Sequence, residues 1–273
     1  MAEMSIVDQV SHSTVRIECS LEGGKTSTGT GFFYSFKRTK DSHVPVIITN
    51  KHVIHGALTG TLVFTLTKSD GTPDYGNTWD FRFDNFSSFW KPHPDESIDL
   101  CAMPIVPIIK QASEKGFKPF FTYLDSSFLP KDSEIEDLKS LEEVTMVGYP
   151  NGLWDRVNNL PIFRRGILAT SYARDWNGKK EFLIDAACFP GSSGSPVMLV
   201  NVGSYKVGAT THFASRVKLL GVLYAGPQHT VTGEVSVVDI PVVQKAISVT
   251  AIPTNLGVVI KAHLIEDFDG VFK

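Results

Sequence analysis

No stretch of this chain approaches the roughly 18 consecutive apolar residues that a membrane-spanning helix requires. The opening residues, Met1-Ala-Glu-Met-Ser-Ile-Val-Asp, lack both the charged and the apolar region of a secretory signal, so none is expected. Charge of one sign is also missing. With 26 basic and 29 acidic residues the formal charge is −3, and no dense Lys/Arg run exists. Phosphate-gripping proteins need a basic surface, so neither nucleic acid nor a membrane is an expected partner. Cysteine is scarce: Cys19, Cys101 and Cys188 are odd in number and widely spaced. They read as three reduced, buried thiols in a reducing compartment, which makes the expected location cytoplasmic. No His-Glu-x-x-His or similar ligand spacing occurs, and neither a metal nor a cofactor is expected. There is no tandem repeat and no low-complexity tract.

What the chain does hold is enough apolar residue for a substantial core. Hydrophobic residues make up 42% of its 273 positions, the profile of an ordinary globular protein. Val15, Ile17 and Cys19 alternate with Thr14, Arg16 and Glu18, the period-two pattern of a half-buried strand. Similar runs follow at 31–36, 44–49, 62–67, 81–83 and 100–103. A second series runs at 144–148, 163–170, 181–185, 196–200, 219–224 and 235–238. Residues 37–42 read as a polar hairpin tip and Ser69-Asp70-Gly71-Thr72-Pro73 as a longer turn. Between them, residues 104–142 are broken by Pro104, Pro107, Pro119 and Pro130, with a short amphipathic helix expected over 132–141. A further short helix is expected from Pro241, carrying Val242, Val243 and Ala246.

Six strands, a linker and six more imply an all-β protein of two six-stranded antiparallel β-barrels with a short C-terminal helix and tail. Barrel closure removes the exposed edges that so many strands would leave. The expected divisions are a first barrel over 10–120, a linker over 121–142, a second barrel over 143–250 and a tail over 251–273. The tail is too short for a further domain. It is expected to pack back through Val258, Val259, Ile260 and Leu264.

Three motifs carry chemistry. Phe189-Pro190-Gly191-Ser192-Ser193-Gly194-Ser195-Pro196-Val197 is a tight turn that could present a serine hydroxyl beside backbone N–H groups. Taken alone it resembles many surface turns. Val46-Ile47-Ile48-Thr49-Asn50-Lys51-His52-Val53-Ile54 sets a histidine directly after an apolar strand. Its ordinary pKa suits taking up and returning a proton. Ser97-Ile98-Asp99-Leu100-Cys101-Ala102-Met103 sets an aspartate at the mouth of another apolar strand, where a carboxylate is costly unless paired.

These three segments together resemble the trypsin-like (chymotrypsin-fold) serine peptidases. The likeness is strongest to the bacterial, disulfide-poor branch that includes glutamyl endopeptidases and HtrA-type protease domains. It spans about residues 10 to 250. The order is His52, Asp99, Ser193, with intervals of 47 residues (99 − 52) and 94 residues (193 − 99). The archetypal triad has the same order and intervals of roughly 45 and 93. An α/β-hydrolase would instead run serine, acid, histidine, with the serine in Gly-x-Ser-x-Gly.

The resemblance implies an endopeptidase acting on a protein or peptide substrate through an acyl-enzyme. Ser193 would be the nucleophile, His52 the general base and then acid, and Asp99 the residue that orients the imidazole. The N–H groups of Gly191 and Ser193 would form the oxyanion hole. Ser192 and Ser195 are the rival serines, and His43, His55 and His93 the rival histidines, all three expected in exposed loops. Asp95 and Glu96 are expected in a solvated turn.

By the same resemblance, Ala187, Cys188, Tyr224, Ala225 and Gly226 line the primary specificity pocket. Ala187 stands where trypsin-type enzymes carry an aspartate, so Lys or Arg is not the expected substrate residue. Leu223 replaces the histidine of the glutamyl branch, which leaves an apolar or small residue as the expectation, with Asp185 and His212 able to modify it. Ser192 replaces the aspartate that animal zymogens pair with a new N-terminus, so control is expected from a regulatory partner, a change in the oxyanion turn, or scarce substrate. The competing readings are an inactive binding module of the same fold, a serine esterase, and a purely structural all-β module.

Overall fold

Branched apolar residues at alternate positions make most of the first hundred residues antiparallel strands. The computed structural model describes residues 4–37, 42–208, 210–226, 228–234, 247–253 and 255–272. A short helix, α1 (Ile6–Ser11), is capped by the Ser5 hydroxyl, which accepts the Asp8 N–H. There follow β1 (Thr14–Ser20), β2 (Thr26–Lys37), β3 (His43–Thr49), the single turn α2 (Lys51–Ile54), β4 (Thr59–Thr67) and β5 (Pro73–Asp84). The two-residue strand β6 (Lys91–Pro92) and β7 (Cys101–Pro104) come next, then α3 (Val106–Glu114) and β8 (Pro119–Phe120). These strands form one eight-stranded sheet in the order β5-β4-β1-β2-β3-β7-β6, with β8 paired to β4. The first unit therefore has two more strands than expected, both of them two-residue additions at its margins.

The single turn α4 (Asp132–Ile135) leads to the second unit. Its strands are β9 (Glu143–Gly148), β10 (Ile162–Leu168), β11 (Glu181–Asp185), β12 (Pro196–Asn201), β13 (Tyr205–Val207), β14 (Thr210–His212), β15 (Arg216–Ala225), β16 (Gln228–Glu234), β17 (Ile247–Pro253) and β18 (Leu256–Lys261). Six of them close a barrel in the order β10-β11-β18-β15-β12-β9. The pairs β13-β14 and β16-β17 are separate two-stranded ribbons. The all-β, two-barrel class read from the sequence is the observed one.

Three apolar clusters correspond to two barrel interiors and the seam between them. Ile17, Phe33, Ile47 and Leu62 fill the first unit. Met146, Phe182, Val197 and Val259 fill the second. Successive residues of β3 divide between clusters: Ile47 faces the first interior, while Val46 and Ile48 join Val147, Met198 and Val222 in the seam. That alternation follows from the two-residue period of a strand covered on both faces.

Several local expectations are corrected. The expected division at residue 250 cuts through the second barrel, because β18 pairs with both β11 and β15. Beyond it, the 3-10 segment Ala262–Gly270 buries Leu264, Ile265 and Phe268 in the seam. The helix expected over 132–141 stops after α4. Leu141 adopts a left-handed backbone and donates its N–H to the Leu168 carbonyl, drawing the chain toward β10. In β1 the polar Thr14 and Arg16 are buried as well as the apolar residues, because the second unit covers that face. The strand expected at 235–238 and the helix expected from Pro241 lie outside the described residues.

Candidate active site

The seam brings the three motifs together through side chains that precede the titratable residues. Thr49 ends β3, and its hydroxyl donates to the Thr30 carbonyl on β2 at 2.7 Å. The next residue, Asn50, donates its side-chain amide to the Asp99 carbonyl at 2.8 Å. The turn of α2 then carries His52 over Asp99. The Asp99 carboxylate accepts from the His52 backbone N–H at 3.2 Å and lies 2.5 Å from the imidazole Nδ1. Both residues are partly open to solvent. An acceptor at Nδ1 sets the tautomer that leaves Nε2 unprotonated and able to take up a proton.

The loop before Asp99 has its own support. His93 is buried, contrary to the exposed loop expected for it. Its Nδ1 accepts the Asp95 N–H at 3.0 Å, which leaves Nε2 to donate to the Leu264 carbonyl at 3.0 Å. The residues after β18 thereby brace the segment leading to Asp99. His43 and His55 are exposed, and Asp95 forms a solvated turn with Ser97, as expected.

The serine turn approaches from the second unit. The Ser193 carbonyl accepts the Thr30 N–H at 2.9 Å, and Gly194 donates its N–H to the Leu223 carbonyl at 2.8 Å. From Gly191 to Leu199, Ser193 is the residue that retains partial exposure. Ser192 and Ser195 are 1% exposed, and their hydroxyls are buried without a hydrogen-bond partner among the described residues. Burial separates Ser193 from its two rivals. No hydrogen bond joins Ser193 to His52 among the described residues.

Backbone geometry fixes the direction of two amides. The Pro190 carbonyl accepts the Asn151 N–H at 2.5 Å, and the Ser192 carbonyl accepts the Ser195 N–H at 3.0 Å. All described peptide bonds are trans, so the N–H groups of Gly191 and Ser193 point away from those acceptors. Gly191 has φ +85°, and a Cβ there would stand 2.7 Å from the Tyr149 carbonyl oxygen. Only glycine suits that position. Thr30 completes the support: its hydroxyl donates to the Gly191 carbonyl at 3.0 Å and accepts the Tyr149 N–H at 3.1 Å.

Of the five residues expected in the pocket, Cys188 and Gly226 are close enough that a Cβ built at Gly226 would lie 3.6 Å from the Cys188 Cβ. Gly257 on β18, which sequence reasoning did not single out, lies against Cys188, and a Cβ there would stand 2.7 Å from the Cys188 Sγ. Burial pushes the Cys188 thiol up to about 11. The Ala187 carbonyl accepts from Arg164 Nη1 at 2.5 Å, and the same guanidinium lies 4.7 Å over the Phe189 ring. Arg164 was also missed, because its partner is a backbone oxygen. Tyr224 donates to Glu181 at 2.9 Å, and burial beside that carboxylate pushes its phenol up. Ala225 continues β15 opposite Val258. Asp185 is exposed at the end of β11, and His212 stacks on Tyr205 in a separate ribbon.

A family model described as the trypsin-like peptidase domain matches residues 29–203. The chain belongs to the trypsin-like peptidase family. It is accordingly a serine-type peptidase. No curated protein sequence matches it. Among solved structures it is similar to the Rv3671c protease from M. tuberculosis in its active form, at 16% identity and a TM-score of 0.45. That match covers 97% of this chain and 81% of the other. It is also similar to the HtrA-type protease AlgW with a tripeptide, at 15% identity and a TM-score of 0.48, covering 98% of this chain and 62% of that one. Among the described residues of this trypsin-like peptidase, no helix is long and apolar enough to cross a membrane.

Proposed function

We propose that this peptidase is an endopeptidase that cleaves protein or peptide substrates through a Ser193-His52-Asp99 triad and an acyl-enzyme. The observation that carries the reading is the His52–Asp99 pair at 2.5 Å, with Ser193 the partly exposed serine of its turn. Ser193 Oγ attacks the scissile carbonyl while His52 Nε2 takes its proton. The tetrahedral intermediate collapses as His52 returns that proton to the leaving amine, and a water repeats the cycle on the acyl-enzyme. Asp99 holds the imidazole and stabilises its charged form. The amides of Gly191 and Ser193 hold the oxyanion, each worth about 3 kcal/mol.

Ala187 offers no charge for Lys or Arg, and Cys188, Gly226 and Gly257 add none, so the expected substrate residue is apolar or small. Three free buried thiols suit a reducing compartment, the cytoplasm. The buried Ser192 hydroxyl cannot ion-pair with a new N-terminus, so control falls to a protein partner or to substrate supply. Full activity only after N-terminal processing would refute that part.

The test is labelling with a peptidyl diphenyl phosphonate together with a peptide-library digest. Wild type should label and cleave, and Ser193→Ala should do neither. Asp99→Asn should lower kcat by about 10⁴. A wild type that fails to label is an inactive relative; one that labels and hydrolyses esters but no peptides is an esterase.

A further inference from the structure

The oxyanion turn is held by something outside itself. Resting on the reading of Ser193 as nucleophile, we propose that Trp154 is a positioning residue for the Pro190–Gly191 peptide. It ties the turn that holds this peptide to the first barrel through Arg16.

The Pro190 carbonyl has its acceptor bond to the Asn151 N–H at 2.5 Å. In a trans peptide this bond sets the direction of the Gly191 N–H. Rotation of the same peptide would present its carbonyl oxygen where the substrate oxyanion needs a donor. Asn151 therefore decides whether the hole is formed, and it does so from a left-handed turn. Asn151 and Gly152 are successive left-handed residues, at φ 51° and φ 68°. Asparagine enters that region more readily than other non-glycine residues, so what fixes Asn151 in the turn is the hold on the chain to either side of it.

The hold comes from three residues further along. The Arg16 guanidinium lies 4.0 Å over the Trp154 ring, and that of Arg156 lies 4.8 Å from it. Arg16 is a fixed anchor: it stands on β1, is 9% exposed, and pairs with Glu18 at 2.5 Å. Three residues of chain reach no more than about 11 Å, so a pinned Trp154 leaves Asn151 little freedom. Gly152 lies on the same path, its Cβ position 3.9 Å from an Arg16 nitrogen. A guanidinium over an indole face is the strongest form of the cation–π contact. The first barrel thus supplies both His52 and, through Arg16 and Trp154, the set of the oxyanion hole in the second.

The experiment uses the full chain and a peptidyl diphenyl phosphonate, with the maximal inactivation rate separated from the apparent affinity. Trp154→Ala should lower the maximal rate about tenfold, less than the 10²–10³ of a deleted oxyanion donor, with affinity unchanged within twofold. Trp154→Phe keeps a π face and should recover most of the rate. Circular dichroism and thermal unfolding confirm that each variant is folded; if the alanine variant is not, Trp154→Leu takes its place. A folded alanine or leucine variant that reacts as fast as wild type overturns the proposal, as does a phenylalanine variant no faster than it. A wild type that does not label at all is a different result, and overturns the nucleophile assignment instead.

Discussion

Gly194 lies so close to Thr30 that a Cβ on the glycine would stand 1.9 Å from the Thr30 carbonyl oxygen and 2.4 Å from the Thr49 hydroxyl. The contact joins the serine turn to the two strands that deliver His52, at a backbone φ of +84° that side chains rarely adopt. Gly194→Ala should therefore cost about 3 kcal/mol or more, from left-handed strain and overlap together. Urea unfolding gives the stability loss. Phosphonate labelling of the folded fraction should fall as well, because the turn cannot move from Thr30 without moving Ser193.

The pocket can be narrowed without breaking it. At Gly226 a Cβ meets the Leu256 carbonyl oxygen at 3.4 Å and the Cys188 Cβ at 3.6 Å, both ordinary contacts. Gly226→Val should fold normally and fill the space between the walls. In a peptide-library digest, kcat/KM for large apolar residues should fall about a hundredfold, while alanine changes little, the scale set by burying or excluding a few methylenes. An unchanged profile would mean that Gly226 is not at the pocket.

The titratable residues were the legible part of this site. The proposed proton transfers fix the residue types of His52, Asp99 and Ser193, and their flanking residues form recognisable boxes. Thr30, Asn151 and Gly257 act through backbone bonds or through missing side chains, and each meets its partner well along the chain: Thr30 binds Gly191, 161 positions on, Asn151 binds Pro190 and Gly257 faces Cys188. The strands were legible from alternation, but not their closure. Val258, Val259 and Ile260 read as an apolar tail because pairing partners leave no mark on composition. Thr14 and Arg16 read as a solvent face because only the second unit, folded against them, makes that face internal.

Stability should decline below neutral pH. His12 is buried between Phe120 and Tyr75, with Nε2 3.2 Å from the Tyr75 hydroxyl. Burial lowers its pKa from the ordinary 6.5, against a smaller opposing pull from Asp8. The folded state then binds fewer protons than the unfolded one, so stability rises with pH between the two values. It is fully retained above about 6.5 and lost as pH falls below that. His263 is lowered by burial too and acts in the same direction. The thermal midpoint should drop between pH 8 and pH 5.5, and His12→Gln should flatten that drop.

The thiols should be silent in the native protein. Burial pushes Cys19 up to about 12 and Cys188 to about 11, and raises Cys101 as well. Thiolate is the reactive form, so iodoacetamide at pH 8 should add nothing before denaturation and three adducts after it, counted by mass spectrometry. Rapid native labelling of Cys188 would show that the pocket wall opens.

Strand β18 has a consequence for the order of events during synthesis. Residues 256–261 supply two of the second barrel's pairings and the close approach of Gly257 to Cys188, and they are made more than sixty residues after Ser193. A nascent chain holding His52, Asp99 and Ser193 still has an open barrel edge. Closure of the second barrel therefore waits on residues made more than sixty positions after Ser193.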